Sequence, residues 1–437
     1  MGSYLPSTKA QQHEMLEVIG LSSTDELYST VPKKLLLESG PQIPSGKSEL
    51  EVLRFMSALS AKSKVFGSVF RGAGAYRHFI PSIVSAVTSK ETFVTAYTPY
   101  QAELSQGVLQ SIFEYQTMIA ELTGLHASNA SVYDGAAAAG EAAAMCRDRK
   151  RSKTLVSAAA HPFVIETIKT YCLAAGYEMA LIPKKDGLTD HDAMFELLKD
   201  ESISGVYIQQ PNFFGLIEDC LAASEIIHES GAKFIMGVNP IAAAVLKTPG
   251  ECGADIAVGE GQPLGMPLSF GGPYLGFMAA SETMARRLPG RIVGQTTDSS
   301  GRRAFVLTLQ AREQHIRREK AGSNICSNQA LCAMTAAVYM TAMGPAGMGE
   351  VASLCMSNAR YLASCLEEAG LKRVHGGEFF HEFVTSCDRT EAVLKHLELN
   401  DVLGGFPVKG GILWCATEMN TKAEIDRMIT LIKEALS

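Results

Sequence analysis

A glycine-rich stretch from Gly253 to Gly276 combines residue types that present backbone to a ligand. It reads GADIAVGEGQPLGMPLSFGGPYLG, a short apolar run behind Asp255 followed by a loop dense in glycine and proline. An apolar strand that leads into a glycine-rich loop is how an open α/β sheet exposes backbone at its carboxyl edge. The stretch therefore predicts an α/β sheet whose ligand-binding edge lies at this loop.

The reactive group that such a loop carries in enzymes with pyridoxal phosphate (PLP) is missing here. In PLP enzymes of the aspartate-aminotransferase type, a lysine follows the strand and forms an imine with the cofactor. No lysine lies between Lys247 and Lys320, and Gln262 and Pro263 stand at the expected position. Because proline cannot form an imine and a glutamine amide is not a nucleophile, we expect the fold without its central chemical group.

A loop rich in glycine and tyrosine supplies the second group of candidate side chains. Long ordered loops in compact domains tend to carry function, and aromatic side chains with polar tips suit a ligand wall or an interface. An ordinary surface connector is the alternative. GAGAYR fails the dinucleotide-binding glycine pattern because Arg77 occupies the last glycine position. The candidates are Arg71, Tyr76 and His78 in RGAGAYRH, and Tyr97, Thr98, Pro99 and Tyr100 in AYTPYQ.

Two further segments offer backbone donors or charge. The turn NASVYDG at 129–135 enters an alanine-rich helix, whose free N–H groups suit an anion such as phosphate. Capping by Ser131 or Asp134 is the simpler interpretation. Residues 309–331 contain the dense charged run REQHIRREK. This run is either a solvated helix with internal ion pairs, or a segment that steers a carboxylate or docks an acidic partner.

Composition and charge exclude several classes of protein. The net charge of −7 argues against a nucleic-acid surface. The ten cysteines are scattered without zinc spacing, so we expect buried free thiols of a reducing compartment and no metal site. No stretch reaches ~18 consecutive apolar residues, so we predict no membrane span. The N-terminus lacks a targeting pattern, and a cytoplasmic protein is the simple interpretation.

Apolar strands alternate with helical segments from 153 to 280. This alternation predicts right-handed crossovers and a mostly parallel sheet with helices on both faces. We expect three parts in the chain: an N-terminal helical arm over 1–65, a large α/β domain over 66–320, and residues 321–437 as a linker helix followed by a small C-terminal α+β domain.

Several helices are predicted outside that region, and four of them matter for the domain organisation. Thr8–Ile19 and Ser48–Leu59 are amphipathic and lie in the arm. Leu104–Leu122 has a core-facing stripe that begins at Leu104 itself. Asn324–Met343 is expected to link the large and small domains.

With these motifs in place, essentially the whole chain resembles the P-protein family of the glycine cleavage system. The form it resembles is subunit 1, the α or N-terminal-half subunit of glycine dehydrogenase (decarboxylating). Each motif is short, but so many in this order make the resemblance specific. They are YLP, RGAGAYRHFIP, AYTPYQAELSQGVLQ, NASVYDGA, QPNFFG, GEGQPLGMPLSFGGPYLG, LPGRIVG and REQHIRREKAGSNICSNQAL.

The resemblance implies a fold, an activity and a set of partners. It implies the PLP-dependent transferase-like fold type I in both subunits, with PLP held by a lysine of subunit 2 and no cofactor bound covalently by this chain. It also implies an α2β2 heterotetramer that decarboxylates glycine and passes the aminomethyl group to the lipoyl arm of the H-protein. The residues expected to reach the PLP pocket of the partner are Tyr97, Thr98, Pro99 and Tyr100, with Arg71, Tyr76 and His78 as weaker candidates.

Three other interpretations compete with this one. The chain is an independent PLP enzyme if Lys247 or Lys320 holds the cofactor, although neither follows the Gly253–Gly276 strand. It is a purely structural scaffold if it only holds subunit 2 and docks the H-protein. A Rossmann dehydrogenase is disfavoured because neither GAGAYR nor GEGQPLG gives the required fingerprint.

Overall fold

The computed structural model describes residues 7–37, 39–95, 98–272, 274–325 and 328–437, except the side chain of Phe270. The chain divides into two compact units, Met1–Val65 and Phe66–Ser437. The first unit contains helices α1 (Lys9–Val18) and α2 (Glu49–Ser60). Each begins with a capping box, in which a hydroxyl and an acceptor three residues later satisfy the free N–H groups of the first turn.

The second unit holds the remaining helices and all the described strands. Its helices are α3 (Ser82–Thr88), α4 (Glu91–Val94), α5 (Gln106–Thr123), α6 (Gly135–Cys146), α7 (Pro162–Ala174), α8 (His191–Leu197), α9 (Cys220–Glu229), α10 (Gln314–Arg317), α11 (Ala330–Glu368), α12 (Thr390–Leu399) and α13 (Lys422–Leu436). Its strands are β1 (Ser68–Val69), β2 (Ala127–Ser128), β3 (Lys153–Ser157), β4 (Met179–Ile182), β5 (Lys184–Lys185), β6 (Leu188–Thr189), β7 (Ile203–Gln210), β8 (Lys233–Val238), β9 (Ile256–Glu260), β10 (Gly276–Ala280), β11 (Ile292–Thr297), β12 (Arg303–Thr308), β13 (Glu382–Ser386), β14 (Val402–Leu403), β15 (Phe406–Val408) and β16 (Gly411–Cys415).

The central sheet is mostly parallel, as the alternation of strands and helices predicts. Its strand order is β2-β10-β9-β8-β7-β3-β4. Strands β9, β8, β7, β3 and β4 run parallel to one another. Strand β10 is antiparallel to both β9 and β2. Five parallel strands therefore end at one carboxyl edge, where ligands bind in sheets of this kind.

Helices cover both faces of this sheet because successive strand residues point in opposite directions. Val156 and Ile235 belong to the core beneath α6 and α7. Their chain neighbours Leu155 and Phe234 belong to a different core, with side chains of α8 and α9. A parallel sheet buried on both faces requires such uninterrupted apolar strands, so the sequence of these strands accounts for the layering.

The C-terminal part is a small α+β layer, as predicted. Strands β13, β16 and β15 form an antiparallel sheet, and α12, α13 and the end of α11 pack with it in a C-terminal core around Trp414. Residues 66–437 nevertheless form one compact unit. The division of the chain at 320 stays a prediction.

Helix α11 is shared between two cores. Met348 and Cys355 belong to the central core, formed with α3, α5 and β10, whereas Ala359 and Leu366 belong to the C-terminal core. The helix is broken at Gly344, where φ is 62° and Pro345 follows. By length and composition α11 is long and apolar enough to cross a membrane. Because its buried side chains pack into these two cores, we interpret it as a core helix.

Two predicted helix starts are wrong, and one of the two interpretations of the charged run is not observed. Leu104 lies before α5 begins and is 78% exposed, because residues 101–105 form a turn instead. Helix α11 begins at Ala330 rather than at Asn324. The segment after Leu309 is not one solvated helix but a series of short turns. Leu309 and Arg318 both have a φ of 53°, and this left-handed conformation interrupts a right-handed helix.

Candidate functional site

A cleft of about 880 Å³ lies at the carboxyl edge of the sheet. Residues at or just after four strand ends line it: His161 after β3, Gln209 in β7, Asn239 after β8 and Glu260 in β9. The other lining segments include Ala73–Tyr76, Tyr133–Ala136 and the pair His381 and Glu382. Its charged groups are Asp134, Glu260 and Glu382, and no lysine or arginine is among its described lining residues. We call it the acidic cleft.

Glu260 occupies the backbone donors that a phosphate would need. Its Oε2 accepts a hydrogen bond from the N–H of Gly135, at the start of α6, with a distance of 3.0 Å. Its Oε1 accepts from the N–H groups of Gln262 at 3.0 Å and Leu275 at 2.9 Å. Burial raises the pKa of Glu260 to about 7 despite these bonds. The helix start predicted as an anion site is therefore used by a carboxylate of the same chain.

Asp134 completes this occupation of the helix start. Its Oδ1 accepts from the N–H of Ala137 at 2.7 Å and caps α6. The simpler of the two sequence interpretations, capping by Asp134, is the one observed. A capping carboxylate and a second buried carboxylate disfavour binding of a further negative group, because like charges at short range repel.

Gln262, at the position expected for a lysine, is held by hydrogen bonds on both ends of its amide. Its Oε1 accepts from the N–H of Tyr76 at 2.9 Å. Its Nε2 donates to the carbonyl oxygens of Tyr76 at 2.9 Å and Met266 at 2.8 Å. The side chain is 1% exposed. Gln262 thus joins the loop at Tyr76 to the strand-end loop.

These residues do not fit PLP. The acidic cleft offers no amine for an imine at position 262. The Gly135 N–H is already engaged by Glu260. No cation among the described lining residues balances a phosphate, and a buried anion without a partner is costly. We therefore derive no chemistry through this cofactor in the acidic cleft.

Tyr76 packs against the C-terminal strands of the same chain. Its hydroxyl donates to Glu382 Oε2 at 2.7 Å, and the N–H of Ala73 donates to Glu382 Oε1 at 2.7 Å. Burial raises the pKa of Glu382 to about 7, and burial together with Glu382 raises the pKa of Tyr76 well above its usual value. The ring of His381 packs against Tyr76, with centroids 4.5 Å apart. Neither ring nitrogen of His381 has a partner in the described part of the chain.

Arg71 and His78 lie in the same interior region. Arg71 donates to the carbonyl oxygens of Gly404 at 3.1 Å and Gly405 at 2.9 Å. His78 Nδ1 lies 2.8 Å from Glu418 Oε2. The three weaker candidates of the sequence analysis therefore connect the loop at residues 71–78 to residues 382–418. Their expected contribution to a partner subunit stays a prediction.

His78, Cys355 and Glu418 have ligand atoms within 4.8 Å of one another. The group is closed by its own hydrogen bonds, because the Cys355 thiol also donates to Glu418 at 3.4 Å. Burial, with Glu418 nearby, raises the pKa of Cys355, so the thiol keeps its proton. We interpret this group as structural. The prediction of buried free thiols is confirmed for eight of the nine described cysteines, and Cys326 lies outside the described residues.

Among the described strong candidates, Tyr100 contacts two polar side chains from distant parts of the chain. Its hydroxyl accepts from Arg291 Nη2 at 2.9 Å, and the guanidinium carbon lies 5.2 Å from the ring centroid. The ring of His315 meets it edge-on at 6.3 Å. Tyr100 is 50% exposed, whereas Arg291 is only 7% exposed and its Nε has no partner among the described residues. We call Tyr100, Arg291 and His315 the Tyr100 cluster.

The neighbouring candidates form the turn that presents Tyr100. The Tyr100 N–H donates to the carbonyl oxygen of Thr98 at 2.9 Å. Pro99 is buried and Thr98 is half-buried, so the turn anchors on proline and directs tyrosine outward. Tyr97 lies outside the described residues. Sequence reasoning missed Arg291, although it stands in the motif LPGRIVG that carried the resemblance.

Comparison with known proteins identifies what this architecture is similar to. A family model described as "Glycine cleavage system P-protein" matches residues 2–432. A relative named probable glycine dehydrogenase (decarboxylating) subunit 1, from Moorella thermoacetica, is 47% identical and aligns over 100% of both chains. A protein of the same name from Desulfitobacterium hafniense is 45% identical over 98% of each.

Solved structures agree with the sequence relatives. A crystal structure of glycine decarboxylase (P-protein) of the glycine cleavage system, in inhibitor-bound form, matches with a TM-score of 0.92 and 40% identity. It covers 99% of this chain and 100% of the other. Alanine–glyoxylate aminotransferase from Nostoc sp. matches with a TM-score of 0.59 and 14% identity, over 93% of this chain and 99% of the other. At that identity the second match shows the fold alone, which is fold type I as predicted.

Proposed function

The chain belongs to the glycine cleavage system P-protein family, and we propose that it is the subunit of glycine decarboxylase that holds no cofactor. In this proposal it completes the active site of a second subunit, which carries PLP. The names of the relatives, glycine dehydrogenase (decarboxylating) subunit 1, support a subunit of a larger enzyme. The relatives match this chain over its whole length, so the proposal extends to the full chain.

The observation that carries the proposal is that the polar groups of the acidic cleft are already hydrogen-bonded within the chain. Gln262 stands where the cofactor lysine is expected, and its amide is bonded on both ends. Glu260 holds the Gly135 N–H that a phosphate would use. A chain of this fold without its own cofactor contributes to catalysis only through groups it offers to another chain. PLP in the partner would supply the electron sink for loss of carbon dioxide from glycine.

The Tyr100 cluster is the part of this chain best suited to that contribution. A half-exposed phenol with a buried guanidinium behind it positions a carboxylate or a phosphate through charge-assisted hydrogen bonds. The guanidinium of Arg291 is buried behind the ring and fixes the direction of the Tyr100 hydroxyl. Thr98 and Pro99 would form the adjoining wall, and the contribution of Tyr97, which lies outside the described residues, stays a prediction. In this proposal the residues orient the substrate or cofactor of the partner and exclude water, and none acts as acid or base.

Assembly and transfer complete the proposal. The chain pairs with subunit 2 in an α2β2 heterotetramer in the cytoplasm, and the complex passes the aminomethyl group to the lipoyl arm of the H-protein. A purely structural subunit is the second candidate. The half-exposed Tyr100, whose hydroxyl accepts a hydrogen bond from Arg291 at 2.9 Å, favours participation over scaffolding.

The experiment is reconstitution of the two subunits with one matched pair of variants. The chain is co-purified with subunit 2, and each subunit is assayed alone and together for glycine–bicarbonate exchange and for transfer to the H-protein. We expect Tyr100→Phe to assemble normally and to lose about tenfold in kcat/KM, equivalent to one charge-assisted hydrogen bond. Tyr133→Phe, an exposed tyrosine at the acidic cleft, is expected to leave activity unchanged.

Each other result has a defined meaning. Unchanged exchange and transfer in Tyr100→Phe would remove the Tyr100 cluster from the site and favour the scaffold. Activity of this chain alone, with an absorbance band of bound PLP, would contradict the proposal outright.

A further inference from the structure

A second cleft, of about 500 Å³, lies where the end of α6, the turn Ala285–Arg287 and the segment 311–325 meet. Six cationic side chains from these distant segments converge on it. They are Arg147, Arg286, Arg287, Arg312, Arg317 and Lys320. We call it the basic cleft, and it shares no residue with the Tyr100 cluster.

The cations of the basic cleft are only partly balanced within the described part of the chain, where Arg312 interacts through its charge with Glu313 and Arg147 with Glu141. None of the six takes part in a salt bridge there. Arg287 donates to the Met145 carbonyl at 2.7 Å, and Arg312 donates to the Gly290 carbonyl at 3.0 Å. Carbonyl partners fix the direction of these guanidinium groups but leave their charge in place.

The acidic residues of the basic cleft are two, Glu141 and Glu313. Burial raises the pKa of Glu141. Six cations against at most two anions give the cleft a positive field, although the whole chain carries a net charge of −7. Such a field attracts anions and steers an acidic partner toward the surface.

The carboxylate of Glu313 lies among these cations and affects which anions can bind. Glu313 is 8% exposed, its buried Oε1 has no hydrogen-bond partner among the described residues, and its Oε2 lies 3.7 Å from His315 Nδ1. A compact anion with several charges, such as phosphate, would be repelled by this carboxylate. A peptide segment spreads its carboxylates along its length, so they can pair with the outer arginines at a greater distance from Glu313.

The exposure of the cations in the basic cleft also favours a peptide segment. Arg286, Arg287, Arg317 and Lys320 are exposed, whereas a small-molecule site encloses its ligand with a few buried polar groups. Arginine-rich, partly exposed surfaces are typical of protein interfaces. We infer that the basic cleft docks a segment rich in aspartate and glutamate from a protein partner. This inference goes beyond the proposed function and does not require the chain to act on glycine.

The test measures binding of a fluorescent peptide of alternating Glu and Gly to the full chain by anisotropy, with a Gln–Gly peptide as control. We expect the Glu–Gly peptide alone to bind, more weakly at high salt because of screening. Arg317→Glu combined with Lys320→Glu is expected to weaken binding at least about tenfold. Lys409→Glu with Lys433→Glu, the same charge change at exposed positions elsewhere, is expected to have little effect. If the reversal disturbs folding, Arg317→Gln with Lys320→Gln serves instead.

Glu313→Gln separates a peptide from a bare oxyanion. Loss of the carboxylate should strengthen binding of tripolyphosphate by removing repulsion, and it should strengthen binding of the Glu–Gly peptide much less. Equal strengthening of both would overturn the inference. So would equal weakening by the two charge-reversal pairs, or tighter binding of a single-stranded oligonucleotide of equal charge. The glycine assay is separate, so failure here leaves the proposed function standing.

Discussion

The acidic cleft and the basic cleft of this chain differ both in charge and in how their polar groups are satisfied. In the acidic cleft, Glu260 and Glu382 accept hydrogen bonds from the chain's own backbone and from Tyr76. In the basic cleft, six cations outnumber two carboxylates and form no salt bridge among the described residues. We infer that a pocket closed by internal hydrogen bonds is part of the framework, whereas excess charge marks a surface left for another molecule.

The physical reason is the cost of burying ionisable groups. A carboxylate removed from water must be hydrogen-bonded or protonated. Three backbone N–H groups serve Glu260, and a backbone N–H with a phenol serves Glu382. Exposed arginines carry no such penalty, because water solvates them until a partner arrives. The acidic cleft should therefore govern stability, and the basic cleft should govern association.

The largest effect on stability is expected at Gln262, and it tests the contrast between the two clefts. Gln262→Ala leaves the Tyr76 N–H and two carbonyl groups without partners. We expect a loss of about 3 kcal/mol in the free energy of unfolding, measured by urea denaturation of the full chain. Arg317→Ala in the basic cleft is the counterpart, with an expected change within about 0.5 kcal/mol. Equal losses in the two variants would contradict the distinction.

The next effect concerns pH and Glu382. The folded-state pKa of about 7 lies above the ordinary value of 4.5. A raised pKa means that the folded state holds the proton more tightly, so this stabilisation is full below pH 4.5 and is lost as pH rises to about 7. Glu382→Gln removes the dependence. Relative to the unmodified chain, the variant should be more stable at about pH 8 than at about pH 5, by on the order of 2 kcal/mol.

Unfolding of both proteins across this pH range measures the effect, and Glu121→Gln on the exposed side of α5 is the control. The control should differ from the unmodified chain by a small, constant amount. A constant difference for Glu382→Gln as well would show that Glu382 does not bind its proton in the folded chain as inferred.

The smallest effect separates capping from charge at the start of α6. Asp134→Ala removes the acceptor for the Ala137 N–H, and we expect a loss of about 1 kcal/mol. Asp134→Asn keeps the cap and removes the charge, so most of the stability should remain, as measured by thermal denaturation. A loss in Asp134→Asn as large as that in Asp134→Ala would assign the effect to charge instead.

The fold was largely predictable because the composition of its strands indicates where they lie in the sequence. Apolar runs such as β7 and β8, each followed by a helix, predict the parallel sheet without knowledge of contacts. The failures came where local conformation overrides periodicity. At Leu309 and Arg318 the left-handed backbone interrupts the charged segment, and nothing in their side-chain types signals it.

The candidate sites were less predictable because their contacts join distant parts of the chain. The absence of a lysine at Gln262 is readable in the sequence. The bond from Gly135 to Glu260 spans 125 residues, and that from Ala73 to Glu382 spans 309. No local pattern reports such pairs. For the same reason Tyr100 was predicted only with its chain neighbours Tyr97, Thr98 and Pro99, whereas its contacts with Arg291 and His315 emerged only with the fold.

The part of α11 after Gly344 joins two cores. Its side chains from Met348 to Cys355 lie in the central core, and those from Ala359 to Leu366 lie in the C-terminal core. The break at Gly344 lies ahead of both groups. A rotation of the C-terminal layer against the sheet would disrupt the packing of one group, so we expect the layer and the sheet to move as one body.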